Sequence, residues 1–304
     1  MLDEQDELIF EYRLGKEKKY ANLIKEERLK GNSQKVSYFT KECGYIDGHI
    51  YRPSDYDGET ILPLVFNFHG GGMVLAYCEQ DGKYCQEIAD KAGVAVVNVD
   101  YAVAPEYKYP LPILSSYSFI IQFLQDNDRY QVKSKNIVLM GHSAGGYISA
   151  ALCALNDVEK QFTIAGLIVD YAVLKQDVAP STRKAKDPDK AMSVSRMEQY
   201  YNWYFTADAD TSHPLASPIY ADASAFPMTL VISAEYDSLR TEEKAFAEKI
   251  KKSGVKVTYQ EFENCQHGFT HDCFDEYNAE QANKAWQLMV DFIRKVFSNI
   301  YGES

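Results

Sequence analysis

The chain has 304 residues, 46% of them hydrophobic, and a formal net charge of −12. That length and apolar content suit one large domain carrying an insertion, and the acidic balance argues against nucleic acid or an anionic membrane as a partner. The opening Met1-Leu2-Asp3-Glu4 lacks an apolar signal core and no apolar run reaches transmembrane length, so a cytoplasmic location and reduced thiols at Cys43, Cys78, Cys85, Cys153, Cys265 and Cys273 are expected.

Residues 1–33 are rich in charge. Leu8, Ile9, Tyr12, Tyr20, Leu23 and Ile24 recur mostly at threes and fours, which predicts an amphipathic helix ended by Gly31-Asn32. Residues 36–51 alternate around Gly44 and predict a hairpin. Strands are then expected at 64–68, 94–99, 137–140, 164–170, 228–233 and 255–262. Helices are expected near 80–91, 113–127, 146–155, 242–252 and 278–297. This alternation predicts an α/β fold with a mostly parallel central sheet covered by helices on both faces. It fails between Leu174 and Ser217. There a charged, proline-containing loop (184–190) precedes the aromatic run Tyr200, Tyr201, Trp203, Tyr204 and Phe205. The chain therefore divides into an N-terminal helical segment (1–33), a first core part (34–173), an insertion (174–216) and a second core part (217–304). The aromatics either pack the insertion onto the body or line a pocket; Tyr201, Tyr204 and Phe205 are the candidates for the pocket.

Two motifs carry chemistry. His69-Gly70-Gly71-Gly72 follows the strand Leu64–Phe68. Consecutive glycines let backbone N–H groups approach a substrate oxygen with no Cβ in the way, as an oxyanion hole requires. Gly141-His142-Ser143-Ala144-Gly145 lies between a strand and an Ala-rich helical run, the setting of a nucleophile elbow. A serine hydroxyl needs a base, and the base needs a carboxylate to fix its tautomer. In the chain order Ser, acid, His, three histidines remain: His213 in a loop, His267 after the last strand, and His271. His267 is the first choice and His271 the second. Asp237 follows the preceding strand and leads into a helix, with Glu235 as the alternative acid. The cluster Cys265, His267, His271 and Cys273 has zinc-binding side chains, but its spacing matches no common zinc pattern, so no metal and no cofactor are expected.

With Ser217-Pro218, Ser233-Ala-Glu-Tyr-Asp-Ser-Leu-Arg240, His267-Gly-Phe269 and Asp100-Tyr-Ala-Val-Ala-Pro-Glu106 added, the sequence resembles the hormone-sensitive-lipase-like carboxylesterases of the α/β-hydrolase superfamily. Ala102 stands where that family has arginine, and Ala76 where it often has glycine. The resemblance implies Ser143 as nucleophile, Asp237 as acid and His267 as base. It also implies Gly71, Gly72 and Ala144 amides as the oxyanion hole, with residues 1–33 and 174–216 as a cap and lid. It points to hydrolysis of small or short-chain esters through an acyl-serine. An acetyl or feruloyl esterase acting on plant cell-wall fragments is the alternative. A non-catalytic ligand receptor on the same scaffold is disfavoured by the complete residue set. Oligomeric state, including a homodimer, is left open.

Overall fold

The computed structural model describes residues 4–302. A long helix α1 (Glu4–Lys30) precedes the hairpin β1 (Ser33–Thr40) and β2 (Gly44–Tyr51). Then follow β3 (Leu64–Phe68), α2 (Glu79–Ala92), β4 (Ala95–Asp100), α3 (Leu111–Gln125), a single turn α4 (Asn127–Tyr130), β5 (Ile137–His142) and α5 (Ala144–Glu159). The chain ends with β6 (Ile164–Asp170), α6 (Val194–Tyr204), β7 (Met228–Ala234), α7 (Arg240–Lys252), β8 (Val257–Phe262) and α8 (Ala279–Tyr301). The eight strands lie in the order β1-β2-β4-β3-β5-β6-β7-β8. The β1–β2 and β2–β4 pairs are antiparallel, and every other neighbouring pair is parallel. This is the mostly parallel sheet that the alternation predicts, with helices on both faces.

The strand sequences explain the layering. Along β3 and β5, Leu64, Phe66, Phe68, Ile137 and Leu139 face one way and pack on Phe119, Ile148, Leu152 and Phe246 from α3, α5 and α7. Val65, Val138 and Met140 face the other way, onto Tyr84 and Ile88 of α2 and Met289 and Ile293 of α8. With both faces covered, these central strands are buried along their whole length and mostly apolar, whereas the edge strands β1 and β8 alternate. The strand order reverses between β3 and β5: β3 leads by way of α2 to β4 on one side, while β5 lies on the other. Such a switch point leaves a crevice beyond the carboxyl ends of the strands. The glycine loop and the Gly-His-Ser-Ala-Gly turn open on either side of it.

Helix α1 is joined to that edge by its inner stripe. Ile9 packs with Val74 and Trp203, and Tyr20 with Leu75 and Tyr77. Arg13 donates to the Val74 carbonyl at 2.7 Å, pairs with Glu106 at 2.7 Å, and also donates to the Ala104 carbonyl. The helix is amphipathic only in part, because Leu8, Phe10, Leu14 and Leu29 are exposed.

The turn after β5 tolerates no side chain on its flanks. A Cβ on Gly145 would run into the Phe68 carbonyl, and one on Gly141 into the Gly145 backbone. Backbone cannot move aside as a flexible side chain can. Gly145→Ala is therefore expected to lower the unfolding free energy by about 3 kcal/mol, the upper end of core overpacking, read from urea denaturation.

Candidate active site

Ser143 sits between β5 and α5 with φ 52° and ψ −115°, a conformation that non-glycine residues rarely adopt and that costs on the order of 1–3 kcal/mol. Its amide donates to the Asp170 carbonyl at 2.8 Å, which extends the β5–β6 pairing and holds the turn. The hydroxyl is left at the cavity wall. Ser143 Oγ lies 2.8 Å from His267 Nε2. His267 Nδ1 lies 2.6 Å from Asp237 Oδ2, and Asp237 Oδ1 accepts from the Leu239 amide at 3.0 Å. The Asp237 side chain is 1% exposed and that of His267 12%. Loops following three different strands thus bring hydroxyl, imidazole and carboxylate into one relay, with the carboxylate fixed by the N-terminal approach to α7.

The other candidates go elsewhere. Glu235 accepts from the Asn264 amide at 2.7 Å and pairs with Lys186, away from His267. His213 lies in an exposed turn and accepts from the Leu215 amide at 3.2 Å. His271 is buried; its Nε2 faces Asp81 Oδ1 at 3.1 Å and its Nδ1 the Tyr171 hydroxyl at 2.9 Å. Asn67 donates to the same Asp81 at 2.8 Å, and His142 Nδ1 meets Asp170 Oδ2 at 2.7 Å. This second buried layer lies under the relay, and Tyr171 connects the two: its ring meets that of His267 edge-on, with 5.0 Å between centroids. Asp81, His142 and His271 bring metal-ligand-type atoms within 4.8 Å of one another. Cys265 and Cys273 are not part of this group, and all six cysteines are free. No sequence motif announces the layer, because Asp81 and Asn67 are far from His142 and His271 in the chain.

Facing Ser143, Gly71 and Gly72 take φ values of 139° and 62°, which glycine adopts freely. The Gly71 carbonyl accepts from the amides of Val74 and Leu75, both at 3.1 Å, so the loop folds back on itself. Among the described residues no backbone carbonyl accepts from the amides of Gly71, Gly72 or Ala144. Ala144 opens α5, whose first amides have no partner within the helix. His69 supports the loop from beneath: it is fully buried and stacks on Tyr101 at 4.3 Å, and the Tyr101 hydroxyl donates to the His69 carbonyl at 2.8 Å.

Two cavities meet at Ser143 and His267. The larger, about 200 Å³, is lined by Gly71, Tyr12, Tyr77 and Tyr200 among others. The smaller, about 60 Å³, is lined by Ala144, Val173, Met192, Met197, Tyr201 and Leu239. Of the aromatics that the insertion offers, Tyr201 lines the smaller cavity and Tyr200 both. Tyr204 and Phe205 correct the expectation from sequence: both are buried in the main core and line neither cavity. The Tyr204 hydroxyl points to that of Tyr147, and the Phe205 ring packs at a tilt against those of Tyr109 and Tyr201. A helix presents its aromatics to opposite sides, and spacing alone does not say which side meets the core. Tyr200 lies so close over the glycine loop that a Cβ on Gly72 would stand 2.5 Å from its ring.

Burial disfavours a charged imidazole at His267, but the charge and hydrogen bond of Asp237 outweigh it and raise its pKa above the ordinary 6.5. Asp237→Asn removes the compensation and leaves the burial. An NMR titration should find the His267 midpoint above 6.5 in the parent and below it in this variant. A midpoint that does not move would show that Asp237 does not set it.

A family described as alpha/beta hydrolase fold matches residues 65–271. An alpha/beta hydrolase of Acanthamoeba polyphaga mimivirus is 30% identical over 64% of this chain and 57% of its own length. An arylesterase of Saccharolobus solfataricus is 29% identical over 63% of this chain and 63% of its own length. The chain therefore spans about three fifths of these two relatives. Among solved structures, a hyperthermophilic esterase from Pyrobaculum calidifontis superposes with a TM-score of 0.83 at 27% identity, covering 95% of this chain and 91% of that one. A thermostable carboxylesterase from a metagenomic library gives 0.81 at 25% identity, covering 95% and 97%. Fold, site geometry and sequence agree, and the chain belongs to the alpha/beta hydrolase fold family.

Proposed function

We propose that the protein is a serine carboxylesterase acting on small esters. The observation that carries this reading is the unbroken relay from Asp237 through His267 to the Ser143 hydroxyl, facing a glycine loop. Membership of a family whose relatives include named esterases supports it. In this reading Ser143 Oγ attacks the ester carbonyl carbon while His267 Nε2 takes its proton. The carbonyl π pair moves onto oxygen, and the amides of Gly71, Gly72 and Ala144 hold that oxyanion, each donor worth about 3 kcal/mol of barrier in related enzymes. The intermediate collapses, the C–O bond to the alcohol breaks, and His267 returns its proton to the departing oxygen. Water, deprotonated by the same imidazole, then attacks the acyl-serine and releases the acid. Chain and water supply every proton and electron pair.

The two cavities divide the substrate. The small one, walled by methionine, valine and leucine, suits a short acyl chain. The larger takes the alcohol. Tyr12 of α1 and Tyr200 of the insertion stand over this second space, with their hydroxyls 2.5 Å apart. On this reading, residues 1–33 and 174–216 serve together as cap and lid.

Ser143→Ala should lower kcat by about a million-fold and Asp237→Asn by about ten-thousand-fold. A p-nitrophenyl ester series from acetate to palmitate should show turnover falling sharply beyond about six carbons, because so small an acyl space cannot take a longer chain. Palmitate turned over as fast as butyrate, or unchanged turnover in the serine variant, would refute the reading. The raised His267 pKa places the acid limb of kcat/KM above 6.5, since only the neutral imidazole accepts the serine proton.

A further inference from the structure

The chain as a whole is acidic, with net charge −12, yet the larger cavity beside Ser143 is lined by Lys16, Lys19 and Lys190. Two of the three are engaged: Lys19 pairs with Asp275 at 2.8 Å and Lys190 with Asp187 at 3.6 Å. Lys16 is different. Its ammonium stands 5.6 Å from the ring centroid of Tyr12 and 5.9 Å from that of Tyr20. Arg196, at the start of α6, lies on the same aromatic group, 4.0 Å from the centroid of Tyr12 and 5.7 Å from that of Tyr200. Among the described residues neither cation has a carboxylate within ion-pair distance. Glu276, exposed on the rim, is the free opposing charge, since Lys19 occupies Asp275.

Two like charges on one aromatic group, both partly buried and neither in contact with a carboxylate, are an unfavourable arrangement that a bound anion relieves. Burial first, and then the charges of Lys19 and Arg196, make the charged form of Lys16 harder to keep. The position is continuous with the reacting centre. Tyr200 lies on Gly72, the Tyr12 hydroxyl meets that of Tyr200 at 2.5 Å, and Lys16 stands beyond Tyr12 in the same cavity. The walls between are tyrosine rings.

We infer that the larger cavity is an anion-accepting subsite, and that the enzyme takes esters whose alcohol half is a compact aromatic group ending in a carboxylate, met by Lys16 with Arg196 behind it. This inference rests on the esterase reading for its chemistry but not for its binding. The test pair is 4-acetoxybenzoate and its methyl ester, which share acyl group and ring and differ in one negative charge. With each rate referred to its alkaline hydrolysis, kcat/KM should favour the carboxylate. Lys16→Gln or Arg196→Gln should shrink that preference about tenfold, the scale of a lost charge-assisted contact. Lys16→Arg should retain most of it, which a merely structural role for the lysine would not predict. Salt should also erode the preference, since part of the site is open to water. Calorimetric binding of both compounds to Ser143→Ala is read independently of turnover. The carboxylate should bind more tightly there, with the advantage lost in Ser143→Ala/Lys16→Gln. Equal binding of the two compounds to Ser143→Ala, or a preference unchanged by Lys16→Gln, overturns the subsite. Loss of all turnover with this binding difference intact would count against the esterase reading alone.

Discussion

The structure depends on one close approach, that of the turn after β5 to the end of β3. The Phe68 carbonyl occupies the place where a Cβ of Gly145 would be, and the Gly145 backbone the place where a Cβ of Gly141 would be. Only with those two volumes empty can the chain reverse tightly enough to put Ser143 at φ 52° and start α5 at once. The strain at Ser143 is held because the parallel ladders on both sides of β5 over-determine it, and its own amide continues the pairing with β6. Because β3 and β5 are neighbours, the same approach sets the glycine loop against the serine. One packing contact thus fixes both sides of the site.

Electrostatics decide how the site is held. His267 is almost enclosed, and an imidazole in such a place would ordinarily resist a charge. The Asp237 carboxylate at 2.6 Å reverses that preference. In the layer beneath, the hydrogen bond and charge of Asp170 likewise raise the pKa of the His142 imidazole against its burial. Asp170 and Asp81 are completely buried, and each meets an imidazole, His142 and His271 respectively. Burial works against ionisation of Asp81, yet the hydrogen bond and charge of His271 hold its carboxyl below the ordinary value. Buried polar groups persist when they are hydrogen-bonded, and this layer braces Tyr171, whose hydroxyl meets His271, against the His267 ring.

The elements above the sheet add selectivity of a different kind. Arg13 ties α1 to the Val74 carbonyl, just past the glycines after β3, and to the Ala104 carbonyl in the loop after β4, so α1 is anchored beside the glycine loop. Tyr12 and Tyr200 arrive from segments 188 residues apart and meet over Gly72. Their rings wall the larger space, with Lys16 at its lining and Arg196 against the same rings.

The alternation of apolar runs and helical periods was enough to specify a covered, mostly parallel sheet, since burial of both faces leaves a direct mark on composition. His69-Gly-Gly-Gly72 and Gly141-His-Ser-Ala-Gly145 were legible for a related reason: tight turns and close approaches restrict residue type locally. What the sequence left open was every choice that turns on direction. Whether Asp237 or Glu235 faces the imidazole, whether His267 or His271 faces the serine, and which tyrosines of α6 line a cavity depend on side-chain vectors set by packing between distant segments. Tyr204 and, just past the end of α6, Phe205 are buried in the core while Tyr200 and Tyr201 line the cavities, although all four are aromatic neighbours in the chain. The Asp81–His271 and His142–Asp170 layer was invisible for the same reason, because each pair is assembled by the stacking of strands and not by spacing along the chain. Local sequence determines which backbone shapes are possible; the tertiary fold alone decides what each side chain meets.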